Sequence, residues 1–349
     1  MPTFLIVCFR LLGDVLVSTP LAYSIKQAIP NASIDYLLFQ GTDKALAKNR
    51  LIRKVISVPR GKNNTRMLAS LWKQYDVALA AYPSDRTTIA AAIAGKSSVG
   101  FVHSHSMDLW KKAVLSRHAI YDDSVHVVWN MLSLLEPLEI PPLPRGVMGY
   151  DEGDISFARD RIADSRYILV HPYSMKQYKY WPARNWGALA GLIQKEIGCA
   201  VIFTETPVHE DRVYLDEILS YAPESTGTFP CNLNQLASAL AGCAAYIGVD
   251  TGATHIAAAL DVPVFALYGS SWTRYWAPWP NDVMEKSPFS INRGVQTVSN
   301  VTVIQKEWEC VPCNQEICRI THRDRIECME DLTVDEVFTA IRERLRKTA

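Results

Sequence analysis

The chain has 349 residues, 48% of them hydrophobic and 21% charged. That is the composition of a globular protein of about two domains and excludes a disordered or fibrous chain. The formal charge of zero hides an asymmetry: residues 1–150 carry 17 Lys and Arg against 10 Asp and Glu, and the remainder carries 19 against 26, so the first half either meets something anionic or presents an ordinary solvated basic surface.

In chain order, the apolar run at residues 4–9 reads as a strand. It is cut by Arg10 and Asp14, far short of the roughly 20 residues that cross a bilayer, and it lacks the basic start and cleavage site of a signal peptide. The expectation is a cytoplasmic protein, with its eight cysteines reduced or metal-bound rather than paired. A turn at Leu12-Gly13 leads into a helical pattern over 14–28, followed by strands over 34–39, 55–58 and 77–81, a helix over 67–75, an Ala-rich helix over 87–94 and a strand over 98–102. Short apolar strands alternating with helices imply a parallel sheet covered on both faces. A helix over 125–135 stops at Pro137, and Pro141, Pro142 and Pro144 follow; proline blocks helix continuation, so this stretch reads as an interdomain linker.

The alternation resumes with strands over 167–171, 200–203, 244–249 and 262–267 and helices over 186–197, 210–221, 233–241 and 252–260. The expected fold class is α/β, with two doubly wound Rossmann-like domains facing a central cleft. The expected division is residues 1–150, residues 151–330 and a C-terminal helix within 331–349. That helix carries a start signal, with Thr333 and Glu336 spaced as a capping box and Leu332 and Val337 as a hydrophobic staple.

Three loops could carry chemistry. The strongest is Asp250-Thr251-Gly252-Ala253-Thr254-His255, where a strand ends and a helix of small residues begins. Backbone N–H groups at a helix start suit a phosphate, and ligands of parallel sheets lie beyond the carboxyl ends of the strands. The bland alternative is that Asp250 or Thr251 is only a cap and His255 a core histidine. The second loop follows His171 and holds Tyr173, Ser174, Lys176, Lys179, Tyr180, Trp181 and Pro182. A lysine there would offset the charge of a diphosphate leaving group, or would simply be solvated. The third is the turn Arg10-Leu11-Leu12-Gly13-Asp14, in which Asp14 is either a general base facing the cleft or a helix cap.

Taken together, Leu12-Gly13-Asp14-Val15-Leu16-Val17-Ser18-Thr19-Pro20, Lys179-Tyr180-Trp181-Pro182, Asp250-Thr251-Gly252-Ala253-Thr254-His255 and the Cys-rich stretch before Asp331-Leu332-Thr333 resemble the ADP-heptose–lipopolysaccharide heptosyltransferase family, glycosyltransferase family 9. Leu37-Leu38-Phe39-Gln40 and Tyr275-Trp276-Ala277-Pro278-Trp279 look closest to its third, branch-adding inner-core members. The resemblance implies a GT-B fold and inverting, metal-independent transfer of a heptose from ADP-heptose to a heptose of the lipopolysaccharide inner core, without a cofactor and without a nucleic-acid partner. It implies Asp14 as the catalytic base, and Gly13, Tyr173, Ser174, Lys179, Glu210, Asp250, Thr251, Gly252, Ala253 and His255 as donor-binding residues. Lys179 would meet phosphate and Glu210 would lie near the ribose. Tyr173 and Ser174 stand where the first heptosyltransferase has two threonines, and the loop is one residue longer before Lys179. An anionic membrane surface is the implied further partner of the basic half, with the protein cytoplasmic or peripheral on the inner membrane.

Two other features stand apart. Cys310-x2-Cys313-x4-Cys318-x9-Cys328, with His322 inside it, has a spacing open to structural zinc, although the wide second pair favours reduced, packed cysteines. Trp272, Trp276 and Trp279 suit either a sugar-stacking wall or a cover for the core edge. The rival functions are a nucleotide-sugar epimerase of the same architecture and a non-catalytic protein that binds a sugar nucleotide or lipopolysaccharide.

Overall fold

A computed structural model describes residues 1–61, 64–103, 108–162, 166–322 and 325–348. The chain divides into two compact units: residues 1–149 with 281–286, and residues 150–280 with 287–349.

Unit 1 contains β1 (Thr3–Cys8), α1 (Leu12–Val17), α2 (Thr19–Ala28), β2 (Ser33–Phe39), β3 (Lys54–Val58), α3 (Thr65–Ser70), β4 (Tyr75–Ala80), α4 (Asp85–Ala94), β5 (Gly95–Val102), α5 (Leu109–Val114), β6 (Arg117–Ile120) and α6 (Val127–Ser133). The six strands form one parallel sheet in the order β3-β2-β1-β4-β5-β6. β1 is apolar along its length because both its faces are covered, leaving Leu5, Ile6 and Val7 fully buried. The chain winds from β1 outward to β3, then returns to β4 on the other side, so the sheet's switch point lies between β1 and β4. That is where ligands of doubly wound sheets bind, and the turn carrying Asp14 leaves β1 there.

The single helix expected over 14–28 is two, broken at Ser18. Pro20 has no N–H to give to Leu16, and the ladder stops. Hydroxyls take over: Thr19 donates to the Leu16 carbonyl and Ser18 to that of Val15, each at 2.7 Å. The helix expected over 67–75 also ends early, at Ser70, and Tyr75 begins β4.

The proline-rich stretch is not a free tether. Leu143 exchanges hydrogen bonds with the Ser24 hydroxyl, and the Val147 N–H donates to Thr19 Oγ1 at 3.0 Å. Residues 281–286, far along the sequence, return to this unit. Asn281 Oδ1 accepts from the Gly146 N–H at 2.8 Å, Asp282 pairs with Arg145, and the Lys286 carbonyl accepts from the His126 N–H.

Unit 2 contains α7 (Glu152–Arg159), β7 (Tyr167–His171), α8 (Ala183–Ile197), β8 (Ala200–Glu205), α9 (His209–Tyr221), β9 (Gly227–Pro230), α10 (Leu233–Gly242), β10 (Ala245–Val249), α11 (Gly252–Ala259), β11 (Val264–Leu267), α12 (Thr273–Trp276), β12 (Val295–Val298), β13 (Val301–Ile304), α13 (Glu327–Glu330) and α14 (Val334–Thr348). Its sheet runs β12-β13-β11-β10-β7-β8-β9, parallel except for the β12–β13 pair. The switch point here lies between β7 and β10. Gly187 of α8 lets Tyr221 of α9 approach closely; a Cβ there would sit 2.5 Å from the Tyr221 Cβ. Gly198, at φ +72°, closes α8 in the left-handed conformation that glycine adopts without strain.

The capping box at Thr333 forms as expected. The Glu336 carboxylate accepts from the Thr333 N–H at 2.7 Å, and the Glu336 N–H donates to the Thr333 hydroxyl at 3.2 Å. Leu332 and Val337 are both buried in the unit's core. Among the described residues no helix is long and apolar enough to cross a membrane.

Candidate active site

The carboxyl ends of three neighbouring strands build a polar site on unit 2. β7 runs into the loop that ends at Pro182, β10 runs into Asp250, and β11 runs into Ser270 and Ser271. Because β10 pairs with both β7 and β11, these loops must meet. Lys179 Nζ lies 2.5 Å from Asp250 Oδ2, and the Ser271 hydroxyl donates to the same oxygen at 2.6 Å. The Ser174 hydroxyl donates to the Asp250 carbonyl at 3.3 Å. The Lys179 and Asp250 side chains are only 21% and 12% exposed, so this pair is screened less than a surface one.

Two aromatic residues hold Lys179 in place. Trp181 is fully buried and donates its indole N–H to the Leu332 carbonyl at 2.7 Å. The Tyr180 hydroxyl donates to Asp211 Oδ1 at 2.8 Å, with its ring against Tyr214. The sequence Lys179-Tyr180-Trp181-Pro182 is thus a cation on an aromatic anchor, followed by the proline that opens α8.

α11 starts beside the ion pair. Thr251 is its N-cap residue in extended conformation, and its side chain makes no capping hydrogen bond. The capping alternative for Thr251 is therefore not realised, and the positive end of the helix keeps its capacity for an anion. Gly252 and Ala253 form the first turn. His255, one turn in, is buried with Nδ1 unpartnered. Burial brings its pKa down to about 4, with Asp250 opposing and Lys179 reinforcing the shift, so the ring is neutral at physiological pH. Thr254 is structural: its hydroxyl donates to the Val249 carbonyl at 2.5 Å.

The remaining predicted donor residues on this unit are placed differently. Tyr173 is buried, and its hydroxyl donates to the Thr204 carbonyl at 3.0 Å. Glu210 is exposed in the first turn of α9. Of the three tryptophans, Trp272 is exposed, Trp276 half-buried and Trp279 buried, so Trp279 serves packing. Ser271 escaped sequence reasoning. The available signal was the Gly269-Ser270-Ser271 loop, one residue beyond the end of β11.

On unit 1, Asp14 lies in the first turn of α1, with Gly13 before it. Asp14 is 5% exposed. Its carboxylate accepts from Arg10 Nε at 3.3 Å and from the Leu11 N–H at 3.2 Å. Burial raises its pKa above the usual aspartate value, although the charge and hydrogen bond of Arg10 oppose the shift. Asp14 thus caps the helix start, with its buried carboxylate held beside Arg10. The Arg10 guanidinium lies over the Tyr82 ring at 4.1 Å, which fixes it across the switch point between β1 and β4.

The chain is 26% identical over 307 residues to lipopolysaccharide heptosyltransferase 3 of Escherichia coli K12, covering 78% of this chain and 84% of that protein. Its fold matches a family 9 glycosyl transferase from Veillonella parvula, with TM-score 0.77 and 17% identity over 99% of this chain and 97% of that one. It also matches E. coli ADP-heptose lps heptosyltransferase II, with TM-score 0.73 and 20% identity over 100% and 99% of the two chains. These neighbours establish the GT-B fold, two Rossmann-like domains each built on a parallel sheet. The description "Glycosyltransferase family 9 (heptosyltransferase)" matches residues 65–296, a stretch that includes both Lys179 and the start of α11. With that match over about two thirds of its length, this chain belongs to glycosyltransferase family 9, the heptosyltransferases.

Proposed function

We propose that this glycosyltransferase moves a heptose from ADP-heptose to a heptose of the lipopolysaccharide inner core, with inversion at the anomeric carbon. The observation that carries the reading is the group around Asp250: an uncapped helix start and a lysine held beside it, at the position where the diphosphate of a nucleotide sugar would lie. Lys179 and the first-turn N–H groups of Gly252 and Ala253 would stabilise the negative charge that develops on departing ADP. An arriving diphosphate would compete with Asp250 for Lys179. Ser174, Thr251 and His255 would complete the donor contacts, with Glu210 near the ribose and Tyr173 supporting the loop through Thr204. Gly13 would let the turn after β1 come close to the sugar. Asp14 would take the proton of the acceptor hydroxyl as its oxygen attacks the anomeric carbon.

The donor and acceptor classes are supported by the relatives' names, lipopolysaccharide heptosyltransferase 3 and ADP-heptose lps heptosyltransferase II. The charge asymmetry supports a cytoplasmic enzyme whose first half is drawn to an anionic leaflet carrying the acceptor.

The test offers a panel of nucleotide sugars with core-truncated lipopolysaccharides, read by mass. One added heptose, only with ADP-heptose and a heptose-bearing core, is the expected result. A changed donor in the absence of acceptor would point to an epimerase, and tight donor binding without transfer to a non-catalytic role.

A further inference from the structure

Ser271 reaches Asp250 from residues 269–271, a loop between β11 and α12 with no helix or strand of its own. A hydroxyl holds a carboxylate in one place only if the backbone that carries it is fixed, and buried loop carbonyls need donors. One side chain from the neighbouring strand meets both needs. β13 runs beside β11 in parallel register, with Leu267 opposite Ile304, so Gln305 leaves its strand end next to the start of the loop. Its amide nitrogen donates to the Gly269 carbonyl at 2.8 Å and to the Ser271 carbonyl at 3.0 Å. Both hydrogens of the NH2 group are thereby used, and the loop curls around them.

Gln305 is only 3% exposed, and its Oε1 has no hydrogen-bond partner among the described residues. The orientation of the amide follows: turned over, it would set its oxygen against two carbonyl oxygens. A side chain that merely filled this space would be better as leucine or methionine, which leave no buried acceptor unpaired. The loop is braced from its other side as well. The Ser270 hydroxyl donates to the Gln315 carbonyl at 2.7 Å, and the Asn314 N–H donates to the Ser270 carbonyl at 2.7 Å. Ile326 and Met329 close in over Gly269, where a Cβ would stand 2.5 Å from Ile326 Cδ1. Gly269 has no side chain and the Ser270 hydroxyl is engaged with Gln315, so Ser271 is what this loop brings to the site.

We propose that Gln305 is a positioning residue of the donor site. By holding the Gly269 and Ser271 carbonyls it aims the Ser271 hydroxyl at Asp250, and so sets how firmly Asp250 and Lys179 are placed for the donor diphosphate. Its side-chain hydrogen bonds go to the loop backbone and to neither Asp250 nor Lys179, so it acts through Ser271. This role rests on the reading of the site as a diphosphate cradle. A diphosphate that draws Lys179 toward itself leaves Asp250 without its cation, and the Ser271 hydroxyl then still pairs the carboxylate. Misplacing that hydroxyl should therefore show in donor affinity more than in turnover.

The test is a double-mutant cycle on the full chain, with ADP as the probe, read by calorimetric titration and by steady-state kinetics. Gln305→Met keeps the length of the side chain and loses both donated bonds. It should weaken ADP binding and raise the donor KM by about 10-fold, on the scale of the charge-assisted bond it supports, with turnover changed less than KM. In a Ser271→Ala background the same substitution should weaken ADP binding no further, because no hydroxyl is left to aim. Should Gln305→Met fail to fold, Ser270→Ala removes the second brace by loss of a single hydroxyl. It should weaken ADP binding by itself, to a smaller extent, and have no effect beside Ser271→Ala. A purely structural role predicts lower stability in urea with unchanged ADP binding, or equal losses of ADP binding in both backgrounds; either result overturns the proposal. An unaltered chain that binds no ADP would instead remove the cradle reading, and the proposal with it.

Discussion

Lys179 and Asp250 belong to loops that leave two adjacent parallel strands 71 positions apart, and their charged atoms lie 2.5 Å from each other. The contact follows from topology. β7 and β10 pair at the switch point of the sheet, so whatever follows each strand must share the same edge. Asp250 holds the lysine beside the start of α11. A cation restrained in this way loses little freedom when an anion arrives, which is the advantage of a preorganised site.

Replacing Lys179 with Met should therefore weaken the transition state more than the fold. Turnover should fall about 100-fold, the scale of removing one charge-stabilising donor, and ADP should bind less tightly. Steady-state kinetics with a direct ADP titration checks both. Unchanged turnover would remove Lys179 from the leaving-group role.

Ser271→Ala tests the other partner of Asp250. The lost bond, 2.6 Å to a carboxylate, is of the charge-assisted kind, worth about 1.5–3 kcal/mol. Lys179 would remain paired but less firmly fixed. The expected outcome is an increase of about 10-fold or more in the donor KM, at the lower end of that energy range, with a smaller effect on turnover.

The sequence made the architecture legible because buried parallel strands are short apolar runs, and most of those in both halves lie where the pattern placed them. It was least informative where tertiary contacts replace periodicity. β6, β9, β12 and β13 are each only four residues long. The return of residues 281–286 to unit 1 depends on single polar contacts such as Asn281 with Gly146, and no local pattern encodes these. The same holds at the site. Asp250 and Lys179 stand out as polar residues at the ends of strands. Ser271 does not, since its role exists only because β11 is the neighbour of β10. The break at Ser18 was readable, because Pro20 cannot donate within a helix.

Asp14 gives a pH prediction. A general base works as the carboxylate, so activity should fail on the acid side as Asp14 takes up its proton. Because burial raises its pKa, the acid limb of kcat/KM should lie above the ordinary aspartate value of about 3.9. Arg10 is the main opposing influence on that shift. Arg10→Ala should therefore move the limb to still higher pH, while Asp14→Ala should cut turnover about 10²–10⁴-fold with donor affinity retained. An acid limb that Arg10→Ala leaves in place would argue that another group is the base.

His255 makes the complementary prediction for stability. Its pKa falls from 6.5 to about 4 in the folded chain, so the unfolded chain takes up the proton first on acidification. The stabilisation from keeping this ring neutral is complete above about pH 6.5 and is lost as the pH falls toward about 4. Between about pH 7.5 and pH 5 the loss is about 2 kcal/mol. His255→Leu removes the titration, and because Nδ1 has no partner it leaves no hydrogen-bonding group stranded by loss of the ring. Urea unfolding of both proteins at the two pH values should show a pH dependence smaller by that amount in the variant. Equal pH dependence would mean that the imidazole titrates alike in the folded and unfolded chains.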